Sequence, residues 1–178
     1  FGPNLTNNPD DLRGLIKETC ISSITVAGQP IVCEQGSVTL TVNGGESNYQ
    51  WYKNGLLIPT ATNPSYVAMT SGLYNCIYTD ACGITDSVPQ GILLTSATNP
   101  VLSTVVTPTC FGQMIGAIDL SVTGGTPAYT YDWSTDGPET PDNDPQDLTG
   151  LNAGIYTVTV SDVNGCMDTI SATIEQPT

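Results

Sequence analysis

The sequence predicts an all-β protein made of two related, disulfide-stapled modules of roughly 80 residues each, a size at which a small domain can fold alone. Several runs alternate apolar and polar residues, whereas no long stretch has the 3.6-residue period of a helix. The 18 Gly and 13 Pro residues supply turns between those runs. A pattern near residue 75 recurs near residue 157, which indicates an internal repeat.

The clearest copy of the repeated pattern is residues 154–166, which read GIYTVTVSDVNGC. Strict alternation from Ile155 to Val160 predicts a half-buried strand. Asn164 and Gly165 predict a two-residue hairpin turn with positive φ at both positions, leading to a return strand at residues 170–174. The shorter copy is residues 72–82, GLYNCIYTDAC.

The repeat sets the predicted domain boundaries. Residues 1–18 are polar and turn-rich, and are either a linker or the end of a preceding repeat, because residues 8–15 resemble residues 144–151. The first module covers residues 19–97 and the second covers residues 98–178. So few residues lie between the last strand of one module and the first strand of the next that we expect a stiff connection.

Each module is predicted to contain five main strands, at residues 37–42, 49–53, 66–69, 74–79 and 87–95, and then at 101–106, 117–123, 129–133, 155–160 and 169–174. A central Trp51 followed by Tyr74 two positions before Cys76 resembles an immunoglobulin-like sandwich. That resemblance implies core roles for Trp51 and Trp133, and tyrosine corners at Tyr74 and Tyr156. The resemblance fails at Val42. Immunoglobulin domains have a cysteine at this position, and it forms a disulfide with the cysteine that is equivalent to Cys76.

The charge balance excludes several functions. Three basic residues stand against 17 acidic ones, for a net charge of −14, so we expect neither nucleic acid nor an anionic membrane as a partner. The chain has no His, which removes Ser-His-Asp and Cys-His catalysis. A carboxylate pair could still cleave a glycoside, but the acidic residues fall mainly in loops of small modules. We therefore expect no enzyme.

The six cysteines predict disulfides and an oxidising compartment. Zinc is the competing interpretation, but there is neither His nor a CxxC motif. Aligning the modules makes Cys33 equivalent to Cys110 and Cys82 equivalent to Cys166. The predicted pairs are Cys33–Cys82, Cys110–Cys166 and, by elimination only, Cys20–Cys76. With no signal peptide and no membrane-spanning run, we expect the interior of a larger exported protein.

One loop is a candidate metal site. Residues 134–150 are acidic and turn-rich, and calcium is the one cofactor that they suggest, through four carboxylates at Asp136, Asp142, Asp144 and Asp147. The full Asp-x-Asp-x-Asp-Gly pattern of an EF-hand is missing, so a merely solvated acidic loop is the alternative.

Other side chains are candidates for surface contacts or modification. Tyr49, Tyr52 and Tyr131 are the tyrosines that we expect to be available to a ligand, while the two tryptophans could stack on sugars if they were not in the core. Asn4 lies in an N-glycosylation acceptor pattern, and Ser87 and Thr169 each follow an Asp and precede an apolar residue. The latter pattern resembles the O-glycosylation sites of bacteroidete surface proteins.

The second module resembles a known family. Cys110, the run GAIDLSVTGGTPAYTYDW at residues 116–133, LTGLNAGIY at residues 148–156 and NGC at residues 164–166 occur in the order found in the SprB repeat. That repeat is found in many copies in the surface adhesin of gliding bacteroidete bacteria. The first module resembles the immunoglobulin-like domains that often accompany it. The resemblance implies a secreted or cell-surface protein exported by the type IX system.

The sequence therefore predicts a structural, adhesive segment of a large bacterial surface adhesin, used in gliding motility or attachment. Its partners would be neighbouring repeats of the same chain, surface polysaccharide, or other adhesin and motility proteins. Two alternatives stay open: a module that binds polysaccharide or protein through its loops, and an accessory region of a secreted enzyme.

Overall fold

A computed structural model describes residues 22–44, 47–80, 83–134 and 144–176, and every regular element in these ranges is a β-strand. Contacts between Cα atoms divide the chain into two compact units, Phe1–Thr95 and Ser96–Thr178. The fifteen strands of the described ranges are β1 Ser23–Val26, β2 Ile31–Cys33, β3 Val38–Asn43, β4 Ser47–Lys53, β5 Leu56–Leu57, β6 Ser65–Ala68, β7 Gly72–Thr79, β8 Thr85–Ser87, β9 Ile92–Ala97, β10 Pro100–Thr107, β11 Gly116–Gly124, β12 Tyr129–Trp133, β13 Leu148–Leu151, β14 Gly154–Asp162 and β15 Met167–Ile174. None of the residues in these ranges forms a helix suited to crossing a bilayer.

The first unit is a sandwich of two sheets. The smaller sheet has the order β1-β3-β6, and the larger has the order β2-β9-β7-β4-β5, with β8 also paired to β7. Buried residues of β3 alternate with exposed ones, so Val38, Leu40 and Val42 face inward. On the opposite sheet Tyr74, Cys76 and Tyr78 of β7 do the same. These two rows close one hydrophobic core around Trp51.

The second unit repeats this arrangement with fewer strands. Its sheets have the orders β10-β11-β13 and β12-β14-β15. Ile118 and Leu120 of β11 pack against Val158 and Val160 of β14, with Trp133 between them. The outward positions of β14 and β15 carry hydroxyl side chains that pair across the strands, as in the bond between Thr157 and Ser171 at 2.8 Å. This alternation is the pattern from which the sequence predicted a half-buried strand.

The structure extends the predicted strands and corrects some of them. Residues 87–95, predicted as one closing strand, form β8 and β9 on either side of Val88, Pro89 and Gln90. The short strands β1, β2, β5 and β13 were not predicted, because two to four residues are too few to display a period. The predicted all-β class is confirmed.

The hairpin between β14 and β15 differs from the predicted two-residue turn. Gly165 has φ of 79°, but Asn164 is not among the residues with positive φ. The strands end at Asp162 and resume at Met167, which leaves four residues in the connection. The prediction was wrong because the side chain of Asp162, rather than an Asn-Gly turn alone, organises this connection.

Candidate functional sites

Both tryptophans lie in the core, so neither is a sugar platform. Trp51 is fully buried and its Nε1 donates to the carbonyl of Asn63 at 2.9 Å. Trp133 is equally buried and its Nε1 donates to the carbonyl of Pro145 at 3.0 Å. In each unit the indole therefore fixes the long connection that follows its strand, as well as filling the space between sheets.

Two tyrosines tie connections to the strands that follow them. The Tyr74 hydroxyl donates to the Thr70 carbonyl at 2.8 Å, and the Tyr156 hydroxyl donates to the Asn152 carbonyl at 3.1 Å. Each bond reaches back four residues, which is the geometry of a tyrosine corner. Tyr74 is buried, whereas Tyr156 is partly exposed.

The acidic loop is only partly described. Asp136 and Asp142 lie outside the described residues, while Asp144 and Asp147 lie inside them. Asp144 Oδ2 accepts the Trp133 amide at 2.6 Å, and Asp147 Oδ1 accepts the Leu120 amide at 2.9 Å. Within the described ranges no three acidic, Cys or His side chains are grouped as metal ligands. These two carboxylates therefore serve the sandwich by capping backbone donors, and calcium remains a prediction.

A buried carboxylate that the sequence did not single out organises one end of the second unit. Asp162 is only 6% exposed. Its Oδ1 accepts the amides of Asn164 at 2.8 Å and Cys166 at 2.9 Å, and its Oδ2 accepts the Thr126 amide at 2.8 Å. One side chain thus ties the β11–β12 connection to the β14–β15 connection. Gly125, the second residue of the Gly124-Gly125 pair, packs closely against this carboxylate: a Cβ on Gly125 would lie 3.3 Å from Asp162 Oδ2.

The first unit contains the same turn at Asp80. The Asp80 amide donates to the Ile84 carbonyl at 2.9 Å, and Asp80 Oδ1 accepts the Ile84 amide at 2.9 Å. Asp162 makes the same two bonds with Cys166. An Asp that ends the strand, with Gly three residues later in both copies, is the sequence signal that would have revealed this site.

This equivalence corrects the cysteine alignment. Because Asp80 matches Asp162, the residue equivalent to Cys166 is Ile84, and Cys82 is equivalent to Asn164 by position in the chain. Cys82 and Cys20 lie outside the described residues. The predicted pairing of Cys33 with Cys82 therefore stays a prediction, although Cys33 is in a disulfide.

The other two predicted disulfides are wrong. Cys166 is in a disulfide, but Cys110 is a free, exposed thiol, so Cys110–Cys166 is not formed. The physical reason is that Thr109 bonds to Glu175 just beyond the end of β15, whereas Cys166 lies just before its start. The eight residues of β15 separate these two ends by roughly 23 Å, far more than the 4.4–6.8 Å between Cα atoms that a disulfide needs.

Cys76 is free as well, which excludes Cys20–Cys76. Its side chain is fully buried opposite Trp51, in the position that Val158 occupies opposite Trp133. Burial raises the pKa of the Cys76 thiol to about 11, despite an opposing hydrogen bond with the backbone of Gln50. Cys76 is therefore a neutral core side chain rather than half of a staple.

The predicted modification sites differ in access. Ser87 in β8 and Thr169 in β15 are both exposed, and in each case the preceding Asp accepts the backbone amide of the hydroxyl residue at 2.8 Å. The Thr169 hydroxyl is also bonded to Thr159 at 3.2 Å. Asn4 lies outside the described residues. Glycosylation at all three remains a prediction.

The outer face of the larger sheet in the first unit carries an apolar groove. Tyr52, Leu73, Asn75, Ile77 and Ser87 line it together with Gly55. Leu73 pairs across the strands with Leu93, and both are about half exposed or more, at 48% and 60%. No charged side chain lines the groove. We call these residues the Tyr52 groove, and their chemistry suits a neutral ligand with apolar faces.

The other two candidate tyrosines are less available. Tyr49 packs against the core of the first unit, and Tyr131 packs against the core of the second. The Tyr131 hydroxyl donates to Gln146 Oε1 at 3.0 Å, and burial, followed by the charges of Tyr129 and Asp147, raises the pKa of Tyr131. Of these three candidate tyrosines, Tyr52 is the one that lines the groove described above.

Comparison with known proteins identifies one family. Residues 102–138 match the model of the SprB repeat, which confirms the resemblance over part of the second unit, from β10 through β12. A search of curated proteins gave no match.

Solved structures support the fold. The chain is similar to part of a structure of the N-terminal eight immunoglobulin domains of Down syndrome cell adhesion molecule. The TM-score is 0.51 and the identity 13%, and the match covers 88% of this chain and 24% of that one. A C-terminal fragment of intimin in complex with the intimin-binding domain of Tir gives a TM-score of 0.46, 18% identity and coverages of 86% and 64%. Fibronectin(III)-like modules of Clostridium thermocellum CbhA give a TM-score of 0.42 and 12% identity, covering 86% of this chain and 95% of that one. The chain thus spans about a quarter of the first of these structures, and the likeness establishes an immunoglobulin-like fold.

Proposed function

We propose that this chain is a segment of a secreted or cell-surface bacterial adhesin, in which two immunoglobulin-like sandwiches act as tandem stalk repeats. The observation that supports this most directly is the match of residues 102–138 to the SprB repeat. The cysteines add support, because Cys33 and Cys166 are oxidised and stable disulfides belong to proteins outside the reducing cytoplasm.

A stalk needs units that resist extension independently, and each unit here has its own core and its own pair of sheets. Antiparallel strands whose connections are held by side-chain hydrogen bonds suit a unit that must resist extension. The proposal includes no catalytic step, since the chain has no His and three of its carboxylates, at Asp144, Asp147 and Asp162, are bonded to backbone amides. The proposed partners are neighbouring repeats, together with the surface that the parent adhesin contacts.

Force spectroscopy tests the stalk proposal. With the disulfides reduced, a polyprotein containing several copies of the chain should show two unfolding events per copy, with a summed contour-length gain below roughly 64 nm, the extended length of 178 residues at about 3.6 Å each. Without reducing agent the gain should be shorter, because disulfides keep the residues that they enclose from extending. One cooperative event per copy, or extension without a force peak, would contradict independent stalk units.

The Tyr52 groove favours a second candidate function, the binding of a neutral polysaccharide. A tyrosine ring, the Asn75 amide and the Ser87 hydroxyl are groups that contact sugar rings and their hydroxyls. A glycan array probed with the intact chain tests this, with Tyr52→Ala as the test variant and Val67→Ala, exposed on β6 of the other sheet, as the control. Binding that Tyr52→Ala abolishes and Val67→Ala retains would support it, and equal binding by both variants would overturn it.

A further inference from the structure

We propose that the Tyr52 groove binds an N-acetylated sugar, whose acetamido group contacts Asn75 at the centre of the groove. This inference rests on the second candidate function, polysaccharide binding, and names the sugar chemistry that the same groove takes. Three features of the groove support it: the register of the strands beneath it, the fixed orientation of the Asn75 side chain, and the lack of charge on the described residues that line it.

Strand β7 forms the floor of the groove. Leu73, Asn75 and Ile77 alternate with buried residues, so all three face outward, about 6.8 Å from one to the next. Tyr52 lies directly opposite Asn75 on β4, and Ser87 lies directly opposite Ile77 on β8. Directly opposite residues have Cβ atoms about 4.5–5.5 Å apart. An amide therefore has an apolar side chain on either side along its own strand and a tyrosine on the next strand.

The Asn75 side chain presents a hydrogen-bond donor to the groove. Its Oδ1 accepts the Cys76 amide at 2.8 Å. Because a backbone N–H can only donate, this bond identifies which end of the side chain is the oxygen. No described residue accepts a hydrogen bond from the Asn75 Nδ2 atom, which carries two N–H groups and no acceptor. A ligand at the centre of the groove must therefore offer an acceptor.

The acetamido group of an N-acetylated sugar matches these neighbours. Its carbonyl oxygen is an acceptor for Asn75 Nδ2, and its methyl group can cover the side chains of Leu73 and Ile77. Leu73 is 48% exposed, so covering it removes apolar surface from water. A sugar hydroxyl in the same place could accept the hydrogen bond but would leave that apolar surface in water. The Tyr52 ring is then available to the sugar ring itself.

Charge disfavours the other common sugar chemistries. The chain carries a net charge of −14, which repels uronic acids and sulfated sugars. A free amino sugar would place an ammonium group against Leu73 and Ile77, where none of the described lining residues supplies a carboxylate. A neutral sugar with an acylated nitrogen avoids both costs.

The size of the groove limits how much of a glycan it can hold. Its volume is about 240 Å³. Sites that enclose a drug-sized ligand have roughly 300–1,000 Å³, so we expect one residue of a glycan to occupy the groove while the rest of the glycan lies outside it.

The test is calorimetric titration of the intact chain with three tetramers that share length and linkage and differ in one substituent of each ring. They are the tetramers of N-acetylglucosamine, of glucosamine and of glucose. We expect the acetylated tetramer to bind at least about tenfold more tightly than either of the others, the effect of one hydrogen bond together with the covered apolar surface.

Asn75→Asp isolates the donor. The variant keeps an oxygen for the Cys76 amide but replaces Nδ2 by a carboxylate oxygen, so affinity for the acetylated tetramer should fall by about tenfold or more. Asn63→Asp is the matched control, because it adds the same charge at an exposed position outside the groove, and it should bind as the unmodified chain does. Thermal unfolding followed by Trp51 fluorescence checks that both variants fold.

Several results would overturn the acetamido assignment. Affinities of the acetylated and glucose tetramers that agree within about threefold would do so, as would tighter binding of the glucosamine tetramer or equal binding by Asn75→Asp and Asn63→Asp. Polysaccharide binding would still stand in these cases if Tyr52→Ala abolished binding of another neutral glycan on the array. An intact chain that binds no neutral glycan would overturn both the assignment and the candidate function.

Discussion

The carboxylate of Asp162 is expected to control the stability of the second unit. In Asp162→Ala, three backbone amides lose their acceptor: those of Thr126, Asn164 and Cys166. Each hydrogen bond to a charged group contributes about 1.5–3 kcal/mol, and a buried amide left without a partner costs about 1–3 kcal/mol. Cys166 is fully buried, whereas Thr126 is exposed and Asn164 is half-buried, so water can replace part of the loss at the latter two.

We therefore expect Asp162→Ala to lower the unfolding free energy of the second unit by about 3 kcal/mol, mostly from the Cys166 amide. A domain of this size is stable by only about 4–12 kcal/mol. The midpoint temperature should fall by roughly 12–24 °C, since 1 kcal/mol shifts it by about 4–8 °C. Asp162→Asn, which keeps the Oδ1 acceptor but replaces Oδ2 by a donor, should lose about half as much free energy.

The chain offers a clean assay, because each unit has one tryptophan. In a Trp51→Phe background, fluorescence reports only Trp133 and hence only the second unit. Thermal and urea unfolding of this background should be compared with and without Asp162→Ala, using Asp80→Ala as the control that leaves the second unit unchanged. A shift below 2 °C for Asp162→Ala, or a larger loss for Asp162→Asn than for the alanine variant, would refute the hydrogen-bond reasoning.

Three further predictions concern other residues. Cys76→Val should fold and keep the unfolding free energy of the first unit within about 1 kcal/mol, because Val158 fills the equivalent place beside Trp133. Urea unfolding followed by Trp51 fluorescence measures this free energy. A larger loss would indicate that Cys76 has a structural partner. Raising the pH from 9 to 11 should destabilise the first unit, because burial raises the pKa of Cys76 from 9.0 to about 11 in the folded state, which then holds a proton that the unfolded state has released. Cys76→Val should reduce this pH dependence. An unchanged dependence of stability on pH in the variant would contradict the prediction. If the acidic loop at residues 134–150 binds calcium, millimolar calcium should raise the melting temperature of the second unit relative to EDTA, and identical melting curves would exclude the site.

Local sequence patterns determined the strands that carry a core face. The alternation in residues 154–160 and its copy in residues 72–79 placed β7 and β14 correctly, because a strand of eight or nine residues displays the two-residue period several times. The resemblance to an immunoglobulin-like sandwich implied the core positions of Trp51 and Trp133, which are both buried. The motifs of residues 110–133 also identified the SprB repeat, since they record spacing between turns and strands rather than contacts across the fold.

Only the tertiary structure determined which strand ends lie close together, and therefore which cysteines can pair and which side chains join two connections. The pairing of Cys110 with Cys166 looked sound in an alignment, but the antiparallel order of β10, β11, β14 and β15 places those cysteines at opposite ends of the sandwich. Asp162 gained its role only because two connections distant in sequence come together over it. Periodicity along the chain thus determined which residues face inward, while hydrogen bonds between distant connections determined which Asp is a structural anchor and which Cys remains free, because neither property is encoded in neighbouring residues.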